Sequence, residues 1–467
     1  MPERNEDARI YTMAQEEPMR AVWKMGIPVT VGLLFMAAYN LVDTYFIGLL
    51  HDDAQLAAAN LAYPIMMVLI AAAGIVGNGG ASYIARCIGA GDMEEANRTL
   101  WTGLELTVLG SLGLTAGGIF FLQPILTLLG AEGDTVFYTG QYVFVLFAGS
   151  VFIMGNYAVG QLLRSEGSIR YSMIGMLAGT LANLLLDPLF IFTFHLGIRG
   201  AAIATVLGNA LGLAIFVYCY AAKKSLLRPT LHIAGLEGRI VKEIMWVGIP
   251  HTLEQLFTTA AMVVNNNLAA GYGTATVAAM GISMKLMSVG SYIYQGFAAG
   301  CQPLMGYNFG AKNYVRLKKL IQAGILVITL VECGILAICG VFAPALAGLF
   351  SESGAVTAIA ARTLRAAMLM LPFVGTTVMV RNAYNSIGMP QYSFGITVIR
   401  QLFLYIPLLL LFNRWWGYTG LIYAQPVEEF ICMAVAAWIL SRTIRRLQTE
   451  TDGQEKGTHG REKLLDS

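Results

Sequence analysis

The chain has 467 residues, 56% hydrophobic and only 12% charged, with 30 Lys and Arg against 28 Asp and Glu for a net charge of +2. Soluble domains carry about 25% charged residues, so a single soluble domain is excluded, and the near-neutral balance leaves no global field to draw the protein to nucleic acid. The 51 glycines follow no collagen-like period and sit inside apolar stretches, which excludes fibrous and disordered readings.

Residues 1–24 have no apolar core followed by a small-residue cleavage site, so they read as a polar tail and not a signal peptide. Twelve apolar stretches follow, near 25–50, 56–85, 100–122, 136–163, 171–194, 201–222, 245–270, 277–305, 320–342, 358–380, 392–412 and 419–440. About 20 apolar residues cross the hydrocarbon core as a helix. With the N-terminus inside, 24 of the 30 basic residues fall on the cytoplasmic side, and both termini read as cytoplasmic. The six cysteines lie in or beside spans with no C-x-x-C pair, and the five histidines show no ligand spacing, so no disulfide, resident metal or cofactor is expected. G-x-x-x-x-G-K-[ST] is absent, which leaves direct use of ATP without support.

Sliding the chain against itself by 221 to 222 residues reveals a repeat. Gly26-Ile27-Pro28 falls on Gly248-Ile249-Pro250, Gly79 on Gly300, Gly89-Ala90 on Gly310-Ala311, and Ser165, Gly167, Tyr171 and Ser172 on Ser386, Gly388, Tyr392 and Ser393. After a one-residue deletion Gly197, Gly200 and Ala204 meet Gly417, Gly420 and Ala424. Six spans is an even number, so both halves enter the membrane in the same sense. The expected fold is an all-α integral membrane protein of twelve transmembrane helices in two parallel six-helix repeats around a central cavity. Its expected parts are a tail over 1–24, an N-lobe over 25–222, a basic cytoplasmic linker over 223–244 serving as hinge, a C-lobe over 245–442 and a cytoplasmic tail over 443–467. Alternating access is the activity such a plan makes available. Prolines inside spans, Pro28, Pro64, Pro250, Pro303, Pro372 and Pro407, permit kinks.

An ionised carboxylate at the bilayer centre costs about 3 kcal/mol or more, so membrane-depth charges point to the chemistry. They are Asp43, Glu105 and Asp187 in the first half, and Glu254, Lys285, Glu332, Arg400, Glu428 and Glu429 in the second. Tyr39 and Asp43 are four apart, as are Asn183 and Asp187, so each pair shares a helix face, and Thr205 stands at comparable depth in span six. If spans one, five and six pack together, two carboxylates, an amide, a hydroxyl and a phenol meet in low dielectric. Two such acids cannot both ionise cheaply, so the group can hold and release a proton. The same oxygens suit Na⁺. Taken singly, Asp43 reads equally as an interfacial cap and Asp187 as the residue before a turn at Pro188.

Glu254 reads either as a secondary site or as an interfacial residue near the cytoplasmic end of span seven. Lys285 and Arg400 read as neutralising Glu254 or Glu428, or as touching substrate. Asn40, Met36, Met176 and Met287 complete the substrate-facing candidates; a flexible thioether suits varied apolar ligands, although packing is the commoner role of a membrane Met.

The stretches Asn40-Leu-Val-Asp43-Thr-Tyr-Phe-Ile-Gly48, Gly77-Asn-Gly-Gly80, Leu163-Arg-Ser-Glu-Gly167, Asn183-Leu-Leu-Leu-Asp187-Pro-Leu-Phe190 and Gln302-Pro-Leu-Met-Gly-Tyr-Asn308-Phe-Gly-Ala311 resemble the multidrug and toxin extrusion family, within it the DinF-like branch. That resemblance implies a bacterial inner-membrane antiporter, read as a monomer, that exports small organic, often cationic, compounds in exchange for H⁺ or Na⁺. It implies that Asp43, Asn183, Asp187 and Thr205 bind the coupling cation, with Tyr39 beside them and Pro28 in a bending helix. The C-lobe carboxylate site of the NorM-like branch is matched only at Glu254, since span ten holds no acid. The rivals are a lipid-linked oligosaccharide flippase, for which two basic residues at depth are few, a non-transporting scaffold or sensor, for which the loops are short, and a membrane enzyme, for which no nucleophile or metal constellation is present.

Overall fold

The structure, a computed structural model, describes residues 2–50, 52–228, 236–350 and 353–465, without the side chains of residues 2–7, 40, 41, 44, 45, 48, 53, 274 and 450–465. In chain order the helices are α1 (Pro2–Ala14), α2 (Pro18–Gly48), α3 (Asp53–Gly89), α4 (Met93–Phe120), α5 (Leu122–Leu128), α6 (Asp134–Ala148), α7 (Ser150–Ser165), α8 (Ile169–Pro188) and α9 (Gly197–Ala221). There follow α10 (Gly238–Ala270), α11 (Thr274–Gly310), α12 (Tyr314–Gly348), α13 (Gly354–Met368), α14 (Leu371–Ser386), α15 (Pro390–Val398), α16 (Ile406–Trp416) and α17 (Tyr418–Leu465). Two stretches run on in π geometry, Leu189–Thr193 after α8 and Ile399–Tyr405 between α15 and α16.

Seven single helices, and two pairs bent by 52° (α6 with α7) and 45° (α13 with α14), are long and apolar enough to cross a membrane. The segments α10, α11 and α17 complete twelve; they carry polar residues such as Glu254, Lys285 and Glu428-Glu429. The expected tail over 1–24 is not a loose strand of chain: α1 forms, α2 starts at Pro18, and Met13 and Thr12 are buried. At the other end α17 continues from the last span through the expected tail to Leu465.

The repeat is visible in local geometry. Asp92 caps α4 by accepting the Glu95 N–H at 2.9 Å, and its counterpart Asn313 caps α12 by accepting the Arg316 N–H at 3.0 Å. Gly197 and Gly417 both stand at positive φ, 54° and 56°, where a side chain would be strained.

The chain forms two compact units that are not collinear with the two sequence halves. Unit 1 is Met1–Thr12, Ile27–Ile88 and Asp92–Thr252; unit 2 is Met13–Gly26, Gly89–Gly91 and Leu253–Ser467. Each unit therefore takes the opening stretch of the other half's leading helix. Within unit 1, a Cβ on Gly79 of α3 would collide with the Ile244 carbonyl of α10, and one on Gly248 with the Ile75 carbonyl. Within unit 2, a Cβ on Gly300 of α11 would collide with the Met25 carbonyl, and one on Gly26 with the Phe297 ring, which also meets Trp23 edge to face at 5.3 Å. Gly79 and Gly300, like Gly26 and Gly248, are repeat counterparts, so small residues secure the same backbone approach twice.

The expected hinge over 223–244 differs from what is found. Residues 229–235 lie outside the described residues, but the flanks are fastened to unit 1. Leu227 N–H donates to Glu166 Oε2 at 2.7 Å, Arg228 N–H to Asn97 Oδ1 at 2.7 Å, and the Arg9 guanidinium to the Lys224 carbonyl. Farther on, Arg239 pairs with Glu95 at 2.7 Å and Arg86 with Glu243 at 3.1 Å. The chain passes from unit 1 to unit 2 inside α10, at Thr252, just beyond Pro250. It passes the other way inside α2, at Gly26, just before Pro28. Proline withdraws one helical hydrogen bond beside each passage.

Candidate functional site

Three small-residue contacts build the polar centre of unit 1. On α8, Gly179, Asn183 and Asp187 recur every four residues and share one face. A Cβ at Gly179 would stand 2.8 Å from the Gly208 carbonyl of α9, and one at Gly208 would stand 2.7 Å from the Gly179 carbonyl. That near-contact of backbones sets Asn183 and Asp187 against α9, where Thr205 lies one turn before Gly208. On α2, Gly32 leaves space for the Met176 methyl of α8.

Asp187 is completely buried, and Asn183 and Thr205 nearly so. Asn183 Nδ2 donates to Asp187 Oδ1 at 3.0 Å. The Asp43 carboxyl from α2 stands beside the Asp187 carboxyl, so that one proton could bridge the two. Asp43 Oδ1 and Asp187 Oδ2 are buried without a hydrogen-bond partner. The phenols of Tyr39 and Tyr142 stand near Thr205 and within electrostatic reach of both aspartates. Behind them Asn156 donates to Asn209 at 2.9 Å, and Asn209 donates to the Thr205 carbonyl at 2.8 Å. The result is two neighbouring carboxyls, an amide, a hydroxyl and two phenols, all within unit 1.

Tyr142 is the member that sequence reasoning missed. It comes from α6 and packs against two apolar clusters, one with Leu69, Phe147 and Met154, the other with Ile47, Ile191 and Ala201. The only available signal was a tyrosine in an apolar span, one of 21 in the chain. The π stretch Leu189–Thr193 begins directly after Asp187-Pro188, a geometry frequent at functional positions.

The remaining sequence candidates are dispersed. Met36 is half-buried on α2 and Met287 is buried on α11; Asn40 lies in α2, its side chain outside the described residues. Lys285 is exposed on α11. Glu254 is 1% exposed and lies inside α10. Its Oε2 is ion-paired with Arg381 of α14, and its Oε1 accepts the Ser393 hydroxyl at 2.6 Å. By the positive-inside rule Arg381, at the end of span ten, counts as a cytoplasmic charge; the structure makes it the partner of Glu254. Arg400 pairs with Glu429 of α17 at 2.7 Å.

Glu166, between α7 and α8, is fully buried where it holds Leu227. Burial pushes its carboxyl up to about 7 against the opposing pull of the Leu227 N–H, the Ser168 hydroxyl and the Arg9 charge.

Comparison with known proteins follows the repeat. Residues 28–189 and 250–411 each match the family model MatE. The chain is similar to the multidrug export protein MepA of Staphylococcus saprophyticus, 30% identical over 443 residues spanning 94% of this chain and 97% of that protein. It is 28% identical to MepA of Staphylococcus aureus over 450 residues, 95% of this chain and 98% of that one. A solved outward-facing conformation of a multidrug resistance MATE family transporter of the MOP superfamily matches with TM-score 0.89 and 27% identity, covering 94% of this chain and 98% of that one.

Proposed function

Because the chain belongs to the MatE family, we propose that it is a multidrug exporter working by secondary antiport, moving small organic, often cationic, compounds outward in exchange for H⁺ or Na⁺. The observation that carries this reading is the Asp43–Asp187 carboxyl pair, buried in unit 1 with Asn183, Thr205, Tyr39 and Tyr142 around it. It acts as a monomer in the bacterial inner membrane, with both termini in the cytoplasm.

The mechanism follows from the cost of charge. When the pair holds a proton, the shared hydrogen bond offsets the loss of hydration and α2 rests against α8. When the proton leaves, two carboxylates repel across a short gap in low dielectric. The repulsion acts on α2, whose helix lacks one hydrogen bond at Pro28. Sodium bound by the same oxygens of Asp43, Asn183, Asp187 and Thr205 neutralises the pair in the same sense. Alternating access then couples ion return to substrate release. One charge moving down 100 mV yields about 2.3 kcal/mol before any concentration term.

Expression of the wild-type chain is expected to lower ethidium accumulation in cells, and Asp43→Asn at equal membrane abundance is expected to abolish the difference. Full export by that variant would contradict the site assignment.

A further inference from the structure

Unit 2 contains a buried acid that the antiport reading leaves idle. Glu332 lies near the middle of α12, the most apolar single-helix span. It is 0% exposed, and among the described residues neither carboxyl oxygen has a hydrogen-bond partner. The neighbouring helix makes room for it: a Cβ at Gly290 of α11 would stand 3.3 Å from Glu332 Oε2, with the Leu371 side chain as close on the other side. By contrast Glu105 of α4, the other unassigned acid, is half-exposed.

Each helix that packs on α12 carries titratable or charged groups. From α11 comes Tyr294, within electrostatic reach of Glu332, Arg400 and Glu429. From α17 come Glu428 and Glu429; Arg400 already pairs with Glu429, while Glu428 Oε1 is buried without a partner. From α14 comes Arg381, committed to Glu254 and also felt by Glu429. From α13 comes Arg365, which donates to the Gly340 carbonyl at 2.9 Å, two turns further along α12. Cys339 lies on α12 itself. Both deep arginines are thus taken by other glutamates.

An ionised carboxylate at mid-membrane with no donor and no counter-charge is costly by about 3 kcal/mol or more. The group around Glu332 supplies few oxygens for a metal cation, and among the described residues no cluster of three His, Cys, Asp or Glu fit for a metal is found. A proton meets the need with one atom.

We propose that Glu332 is a second proton-binding site, housed in unit 2 and separate from the Asp43–Asp187 pair, which binds its proton between Gly290, Leu371 and Tyr294 and releases it when the surroundings of α12 change during transport. Its presence as a protonated acid does not depend on antiport; its turnover during export rests on that reading.

The test is infrared difference spectroscopy of the purified protein in lipid between acid and alkaline buffer, with Glu332→Gln, Glu332→Leu and Asp43→Asn beside wild type. A carbonyl band of a buried carboxylic acid is expected in wild type and in Asp43→Asn and lost in both Glu332 variants, whose thermal unfolding reports that they are folded. A band unchanged by either Glu332 variant overturns the site. In proteoliposomes the ratio of protons to ethidium is expected to fall by one in Glu332→Gln while export persists. A lost band with an unchanged ratio overturns the role in transport, and absence of gradient-driven export in wild type refutes antiport without touching the infrared result.

Discussion

The two units use one repeated scaffold to opposite electrostatic ends. The offset of 220 residues fixed by Gly197 with Gly417 and Gly200 with Gly420 sets Glu428 and Glu429 opposite Gly208 and Asn209. The offset of 221 fixed by Tyr171 with Tyr392 sets Arg400 opposite Gly179. Where unit 1 brings α8 and α9 together backbone to backbone, unit 2 has an arginine and a glutamate joined at 2.7 Å. Conversely Asp187 and Thr205 of unit 1 face Leu408 and Gln425 in the other half. The paired acids of unit 1 meet each other, whereas Glu254 and Glu429 of unit 2 each meet an arginine. Acids that share a proton can exchange it; an acid fixed by a guanidinium has little reason to.

The largest effect that sharpens this contrast is loss of a buried partner in unit 2. Arg381→Leu removes the cation paired with the buried Glu254, and breaking such a pair costs about 3–5 kcal/mol. Thermal unfolding should drop accordingly; Glu254→Gln, which takes the counter-charge from Arg381, should also lower it but lose less export than Asp43→Asn. Equal inactivation by Glu254→Gln and Asp43→Asn would break the comparison and put coupling in both units.

Glu166 offers the next contrast, since its repeat counterpart is the apolar Ile387. In the folded chain burial pushes its carboxyl up to about 7, above the ordinary glutamate value of about 4.5, so the native state holds the proton more tightly than the unfolded chain. The stabilising contribution is complete below about 4.5 and is lost as pH rises through about 7, a change of up to about 3 kcal/mol. Unfolding measured across that window should show wild type losing stability with rising pH and Glu166→Gln showing a flatter profile. An equally steep profile in the variant would remove Glu166 from the account.

The smallest effect is the one shared by both units. Gly79→Ala and Gly300→Ala each force a methyl into a carbonyl of the crossing helix, and overpacking of that kind costs about 1–3 kcal/mol. Similar losses of melting temperature are expected because the crossings are counterparts; a loss in only one would show that the scaffold is not equally shared.

Much of the architecture was legible because it depends on local pattern. Twenty-residue apolar runs and the Gly-Ile-Pro repeat both act within a few residues of chain. Helical spacing likewise sufficed to set Asn183 beside Asp187, since residues four apart are neighbours on any α-helix. Tyr142 could not be found so, because α6 reaches the aspartates only through packing against α3, α7 and α9. Arg381 was hidden by the charge rule that counted it among cytoplasmic residues, and the exchange of leading helix segments between units leaves no mark in composition. The linker reads as a hinge because it is basic and polar, yet a buried hydrogen bond from Leu227 and an exposed one from Arg228 hold its start to unit 1.

The most direct test of the central claim is ethidium transport by the purified protein in proteoliposomes, first under an imposed pH gradient and then under a Na⁺ gradient, with wild type and Asp43→Asn side by side. One gradient is expected to drive transport by wild type and neither by the variant, which would also identify the coupling ion. Full gradient-driven transport by Asp43→Asn would contradict coupling through the carboxyl pair of unit 1.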